Sequence, residues 1–194
     1  MPHAPRRNEV SYYPEIMQFL KEQIESNFAA WEKPLKVYCK TGELRRGLQD
    51  IIQENHIATP SILQFTAGTP PLSLDIFGLI TDGTRYELLI VEVKLMDSVG
   101  LTQLSQLIGY CIVSNAQYGL LVNVNGRESP RLTELLNSRP DLLHIVRETS
   151  DASHVIHNLG VMEWDSETQN LLYTACGSLR TVSELCKKLE EQFR

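Results

Sequence analysis

Within an otherwise apolar stretch of this chain, three charged residues stand where chemistry can be done: Asp75, Glu92 and Lys94. Glu92 and Lys94 are two apart in YELLIVEVKL, so a strand there projects both from one face. Asp75 lies in LSLDIFGLI, and the Thr81-Asp82-Gly83-Thr84 turn between the two segments has hairpin chemistry. Counted back from Asp82-Gly83, residues 75 and 92 fall at mirrored distances, which brings the two carboxylates together. Charges on buried strands are costly without partners, so their convergence argues for a site. Two neighbouring carboxylates suit a hard cation such as Mg²⁺ or Mn²⁺, which acidifies water and offsets charge on a phosphate. A lysine beside them would orient or help deprotonate that water. The bland alternative is an edge hairpin whose Glu92 and Lys94 form a surface pair worth little.

The surrounding periodicities supply the elements that must position these residues. Residues 13–30 carry Ile16, Phe19, Leu20, Ile24 and Phe28 at helical spacing, with Pro14 in the first turn. A short strand is expected at Leu35–Cys39, a helix at Glu43–Asn55 and a short strand at Ile62–Phe65. The two strands of the hairpin follow, Leu72–Ile80 and Tyr86–Leu95. A helix at Leu101–Asn115 and a buried strand at Tyr118–Val124 come next. Beyond them the pattern predicts a helix at Ser129–Asn137, a strand at Leu142–Val146 and a hairpin of Val161–Trp164 with Leu171–Tyr173. A last helix starts at Thr181, where Thr181 and Glu184 have capping-box spacing. The order is that of a single α/β domain around a mixed central sheet flanked by helices.

Asp75 followed by Glu92-Val93-Lys94 resembles the D…(D/E)xK signature of the PD-(D/E)xK, or restriction-endonuclease-like, nucleases, with Leu74 in place of proline. The resemblance covers residues 43–124 and implies an αβββαβ core with the motif on its second and third strands. It implies Asp75, Glu92 and the Val93 backbone carbonyl as metal ligands, and Lys94 as the catalytic lysine. Many members add a glutamate from the helix before the first core strand; Glu43 fits first and Glu15 second. Gln106 and Tyr110 have the QxxxY spacing of the RecB-like and lambda-exonuclease-like branch, where the glutamine supports the active centre and the DNA. The implied activity is Mg²⁺- or Mn²⁺-dependent hydrolysis of DNA, ahead of RNA, with a homodimer as one way to cut both strands. The alternative is a nuclease-like domain that no longer cuts and acts in nucleic-acid or protein binding.

Composition bounds this reading. The chain has 194 residues, 42% of them hydrophobic and 22% charged, which suits one soluble domain. A flexible tail is expected at 1–10 and a C-terminal extension of unassigned role at 125–194. No apolar run approaches the ~20 residues of a membrane span, and the N-terminus lacks a secretory h-region. Cys39, Cys111, Cys176 and Cys186 form no CxxC pair, which suggests reduced thiols in the cytoplasm rather than a zinc site. The net charge of −6 opposes tight non-specific binding to phosphate, but not catalysis on a nucleic acid through a metal and a local basic patch. Lys33, Lys36, Lys40, Arg45 and Arg46 are candidates for such a patch, and a solvated face is favoured over it. His154 and His157 read as surface histidines in a polar loop, Trp31 and Trp164 as packing residues, and Asp165-Ser166-Glu167 as a turn.

Overall fold

Hydrophobic periodicity along the chain is resolved into a mixed sheet covered by helices on both faces. The computed structural model describes residues 7–148, 154–172 and 177–194. After a 3-10 turn (Glu9–Tyr12) come α1 (Tyr13–Asn27), β1 (Lys36–Glu43), α2 (Leu44–Asn55) and α3 (Pro60–Gly68). The hairpin is β2 (Ser73–Thr81) and β3 (Tyr86–Lys94), followed by β4 (Ser98–Val99), α4 (Leu101–Ser114) and β5 (Tyr118–Val124). The remainder holds β6 (Arg127–Glu128), α5 (Pro130–Ser138), β7 (His144–Glu148), β8 (His154–Asp165), β9 (Asn170–Leu172) and α6 (Val182–Phe193).

Seven strands form the main sheet, in the order β1-β2-β3-β5-β8-β7 with β9 paired to β8. The β1-β2-β3 pairings are antiparallel, whereas β3-β5 and β5-β8 are parallel. The parallel step from β3 to β5 needs a crossover, and α4 supplies it. On one face α1 and α6 bury Ile16, Leu20, Leu185 and Leu189 against Val91, Val93, Leu120 and Trp164. On the other, α2, α4 and α5 bury Leu48, Leu107 and Leu136 with Phe77, Ile90 and Leu121. All seven residues of β5 are buried, as expected of a central parallel strand covered on both sides.

The expected strand at Ile62–Phe65 is a helix instead. Thr59 caps it, accepting from the Ile62 N–H at 3.4 Å, Pro60 occupies its first turn, and the Thr66 hydroxyl donates to the Ile62 carbonyl at 2.8 Å. A four-residue apolar run does not by itself separate strand from helix, and here the Thr-Pro start signal decides. The first strand of the meander is therefore β1, longer than the expected Leu35–Cys39. The helix preceding it is α1, not α2.

Of the expected tail at 1–10, residues 1–6 lie outside the described residues, and Glu9 and Val10 belong to the 3-10 turn. Asn8 caps the 3-10 turn, and Arg7 pairs with Glu15 at 2.7 Å. In the last third, β8 begins at His154 rather than Val161 and adds a 12-residue strand beside β5. Tyr173 of the expected second hairpin strand, and Cys176, lie outside the described residues; Cys39, Cys111 and Cys186 are free thiols. The apolar face of α6 is spent on the core, with Leu185, Leu189 and Phe193 buried, so it is not a free dimer face. Trp164 is fully buried, meeting Phe19 edge-on at 5.5 Å, and Asp165 closes the expected turn through the Glu167 N–H at 3.0 Å. Among the described residues, no helix is long and apolar enough to cross a membrane.

His154 is exposed as expected, but His157 is fully buried on β8, with Nδ1 2.6 Å from the Ala116 carbonyl oxygen. The His-Val-Ile-His-Asn segment 154–158 follows a polar stretch, yet Val155 and Ile156 are strand-forming and the segment lies between β5 and β7, where one face of the strand must be interior. Burial holds the imidazole below its ordinary range against the opposing pull of its hydrogen bond to the Ala116 carbonyl, and the charge of Arg147 adds to burial. The unfolded chain therefore takes up a proton before the folded one does. This contribution to stability is present above the ordinary histidine value and is lost as pH falls from about 6.5 through the lowered one. Urea unfolding from pH 7.5 to 5 should show stability falling with acid, by up to about 1.4 kcal/mol per pH unit for this one proton. His157→Gln should remove that slope; an unchanged slope would show that other groups set the acid limit.

Candidate active site

The hairpin register places the charged residues. Its ladder runs from Thr81↔Tyr86 to Ile76↔Val91, one step short of Asp75 and Glu92. At that step the pairing is replaced by a side-chain contact: the Val93 N–H donates to Asp75 Oδ2 at 2.9 Å. Lys94 Nζ lies 2.5 Å from Glu92 Oε1, 3.0 Å from the Val93 carbonyl oxygen and 3.6 Å from Asp75 Oδ2. Three oxygens of three consecutive or paired strand positions thus converge on one ammonium. The Glu92 side chain is only 2% exposed, against 20% for Lys94 and 23% for Asp75. The edge-hairpin alternative does not describe this group, because β3 is an interior strand between β2 and β5.

Electrostatics follow from that burial. Desolvation raises the Glu92 carboxyl above its ordinary range; its hydrogen bond to Lys94 pulls the other way, and the charge of Asp75 pushes it up again. For Lys94, burial alone would lower the ammonium, but the hydrogen bond to Glu92 and the charges of Glu92 and Asp75 outweigh it and leave it raised. Glu9 adds to both effects as a further negative charge. Tyr13, at the start of α1, donates its hydroxyl to Glu9 Oε1 at 3.2 Å. Burial, then hydrogen bonding to Asp75, holds this phenol protonated well above its usual range.

Asp75, Glu92, Val93 and Lys94 are therefore brought together as the sequence predicts, and the other two expected residues are not joined to them. Glu43 is the N-cap of α2: its Oε1 and Oε2 accept from the Arg45 and Arg46 N–H groups, each at 2.9 Å. Its assignment as a third acid rested on Ile62–Phe65 being the first strand. With β1 in that place the preceding helix is α1, and Glu9, just before it, is the carboxylate whose charge reaches Glu92 and Lys94. Glu15, the second choice, is held by Arg7. Gln106 is exposed on α4 and donates its amide to the Tyr110 hydroxyl at 3.0 Å, so the two share a face as expected and the amide is engaged there. Of the basic run, Lys40 pairs with Glu54 at 2.7 Å and Arg45 donates to the Thr69 carbonyl at 2.6 Å, which fits a solvated face better than a phosphate track.

Sequence reasoning missed Glu9, Tyr13 and Asn123. The first two stand more than sixty residues from Asp75, and no spacing rule links a helix start to a distant hairpin. Asn123 did leave a trace, as the one polar residue inside the apolar YGLLVNV run. It is fully buried and sits opposite Lys94 in the β3-β5 register.

As a donor set, Asp75, Glu92 and the Val93 carbonyl offer oxygen alone, which suits Mg²⁺ or Mn²⁺ over softer ions. No cluster of three or more His, Cys, Asp or Glu side chains able to hold a metal is formed among the described residues. A cation at this place would have the two carboxylates and the Val93 carbonyl and would fill its other positions with water. The chain matches no family model, no curated protein and no solved structure.

Removing the lysine isolates a buried acid. In Lys94→Met, Glu92 loses the partner that opposes its desolvation, so its carboxyl should rise further. A raised carboxyl favours the folded state below its unfolded value, and that advantage is lost as pH climbs through the folded one. Urea titrations should find the variant near wild-type stability at pH 5 and about 3 kcal/mol weaker at pH 8. Equal losses at both pH values would mean that Lys94 contributes by packing instead.

Proposed function

We propose that this chain is a restriction-endonuclease-like nuclease that hydrolyses phosphodiester bonds, in DNA before RNA, with Mg²⁺ or Mn²⁺. The observation that carries the reading is the convergence of Asp75 Oδ2, Glu92 Oε1 and the Val93 carbonyl on one cationic group. The αβββαβ order of α1, β1, β2, β3, α4 and β5, interrupted by α2, α3 and the two-residue β4, supports it as well. When bound, the divalent ion supplies acidification of water and positive charge toward a phosphate oxygen. Asp75 and Glu92 would hold it, with the Val93 carbonyl as a neutral third ligand. Asp75 is kept in place by the Val93 N–H, and Tyr13 lies against it from α1.

Lys94 stays protonated in this setting, so it serves as a donor to the reacting phosphate or to the attacking water rather than as a proton acceptor. Its ammonium now rests on the same oxygens that would take the metal. Binding therefore requires it to swing outward, toward the position where an anionic substrate arrives. That same contact favours the second reading, in which Lys94 is a permanent counter-ion and the domain binds without cutting.

Cleavage of plasmid, linear duplex and single-stranded DNA with Mg²⁺, Mn²⁺ or EDTA separates the two. The nuclease reading expects metal-dependent cutting, reduced by about 10²-fold or more in Lys94→Ala. It also expects a metal-dependent rise in Tm that Asp75→Asn abolishes, equivalent to about 2.7 kcal/mol at a metal concentration 100 times Kd. No cutting together with an unmoved Tm would establish the counter-ion role.

A further inference from the structure

Immediately after Lys94 the chain leaves the sheet, and the departing segment is held more firmly than its position demands. The Asn123 side-chain amide donates to the Met96 carbonyl at 2.9 Å and accepts from the Met96 N–H at 3.2 Å, replacing the partner that β5 no longer supplies. Gly126 closes on the same segment: a Cβ there would fall 2.3 Å from the Met96 carbonyl oxygen and 3.0 Å from that of Asp97. Only glycine fits so close a backbone approach. Yet the side chains carried by this fixed segment face outward, Leu95 41% and Met96 40% exposed.

Leu95 and Met96, with Tyr12 and Val124, line a recess of about 420 Å³ edged by Arg7, Asp97 and Asn125. Leu95 and Met96 follow Lys94 directly, so the recess and the carboxylates flank the end of one strand. Tyr12 and Tyr13 span the same two places, the first lining the recess and the second meeting Asp75. The polar groups at the edge are already engaged. The Arg7 guanidinium lies 4.0 Å over the Tyr12 ring and bonds Glu15, and the Asn125 amide bonds the Ser166 hydroxyl at 2.9 Å. Asp97 adds negative charge. A phosphate would be repelled here, whereas an uncharged planar group would find apolar side chains and a stacked Arg-Tyr pair.

We propose that this recess receives an unpaired nucleobase of the strand whose phosphate lies at Asp75 and Glu92, so that the substrate is single-stranded or locally unpaired nucleic acid. The proposal rests on the nuclease reading and adds the substrate class. In a duplex the bases are stacked and offer only their edges, so none can enter a recess of this kind without leaving the stack. The charge of the chain points the same way. A net charge of −6 opposes affinity built on tracking phosphates, whereas base stacking supplies affinity without cationic contacts.

The test compares kcat and KM on a single-stranded oligonucleotide and on its blunt duplex, in Mg²⁺, for wild type, Met96→Ala and Met96→Leu. Wild type should prefer the single strand by about tenfold or more in kcat/KM. Met96→Ala should raise KM for it by about tenfold, the size of one lost apolar contact with the base, with kcat little changed. Met96→Leu, which keeps the apolar bulk, should restore KM. A preference for duplex, or an unmoved KM in Met96→Ala while wild type cuts, overturns the recess and leaves the nuclease reading standing. Failure of wild type to cut either substrate overturns the nuclease reading, and the recess with it.

Discussion

A carboxylate with 2% of its side chain exposed has to be neutralised, and in this chain one ammonium does so for two acids at once. Glu92 cannot be solvated where it stands, because β3 runs through the middle of the sheet with helices on both faces. Asp75 cannot retreat either, since its Oδ2 is tied to the Val93 N–H across the splayed end of the hairpin. Lys94 is the only group on the strand with both the reach and the sign to serve them. A fold built for stability alone would have placed leucines at these positions, as a buried ion pair gives little net stabilisation over apolar residues of similar volume. Retention of the trio is therefore not explained by stability, and the proposed nuclease chemistry would account for it.

The rest of the architecture can be understood as support for that strand end. The β1-β2-β3 meander supplies Asp75 from one side, and the parallel addition of β5 supplies Asn123 from the other. The crossover through α4 leaves the C-terminal ends of β3 and β5 together, the edge at which open α/β sheets ordinarily take their ligands. The 3-10 turn and α1 then lay Glu9, Tyr12 and Tyr13 over the same edge. Four separate stretches of sequence thus meet within the reach of a single side chain.

How much of this could be read beforehand depended on range. The hairpin was legible because Asp82-Gly83 fixes its turn and an uninterrupted two-residue period fixes which side chains share a face. The long amphipathic helices at α1, α2 and α4 were legible because each carries several repeats of one period, and β5 because its apolar run is continuous. Ile62–Phe65 was not, because four residues contain barely one helical turn or two strand repeats. Its misplacement moved the first strand, and with it the expected third acid, onto Glu43. His157 was hidden because the polar residues before it outweighed Val155 and Ile156, and composition reports average exposure, not which strands flank a segment. Glu9 and Tyr13 were beyond any local rule, because only tertiary packing brings a helix start to the far end of a hairpin.

The insertion of β8 beside β5 changes what kind of unit this chain is. Had the last third been an appendage, residues 36–124 would form a module that evolution or an experimenter could detach. Instead β5, buried along its whole length, is hydrogen-bonded on both sides. Cutting the chain after Val124 would bare a seven-residue apolar edge with its backbone groups unpaired, a template for association with any other strand. The catalytic-looking half and the unassigned half are therefore inseparable in folding, and whatever the second half gained in the course of its history, it had to keep that edge covered.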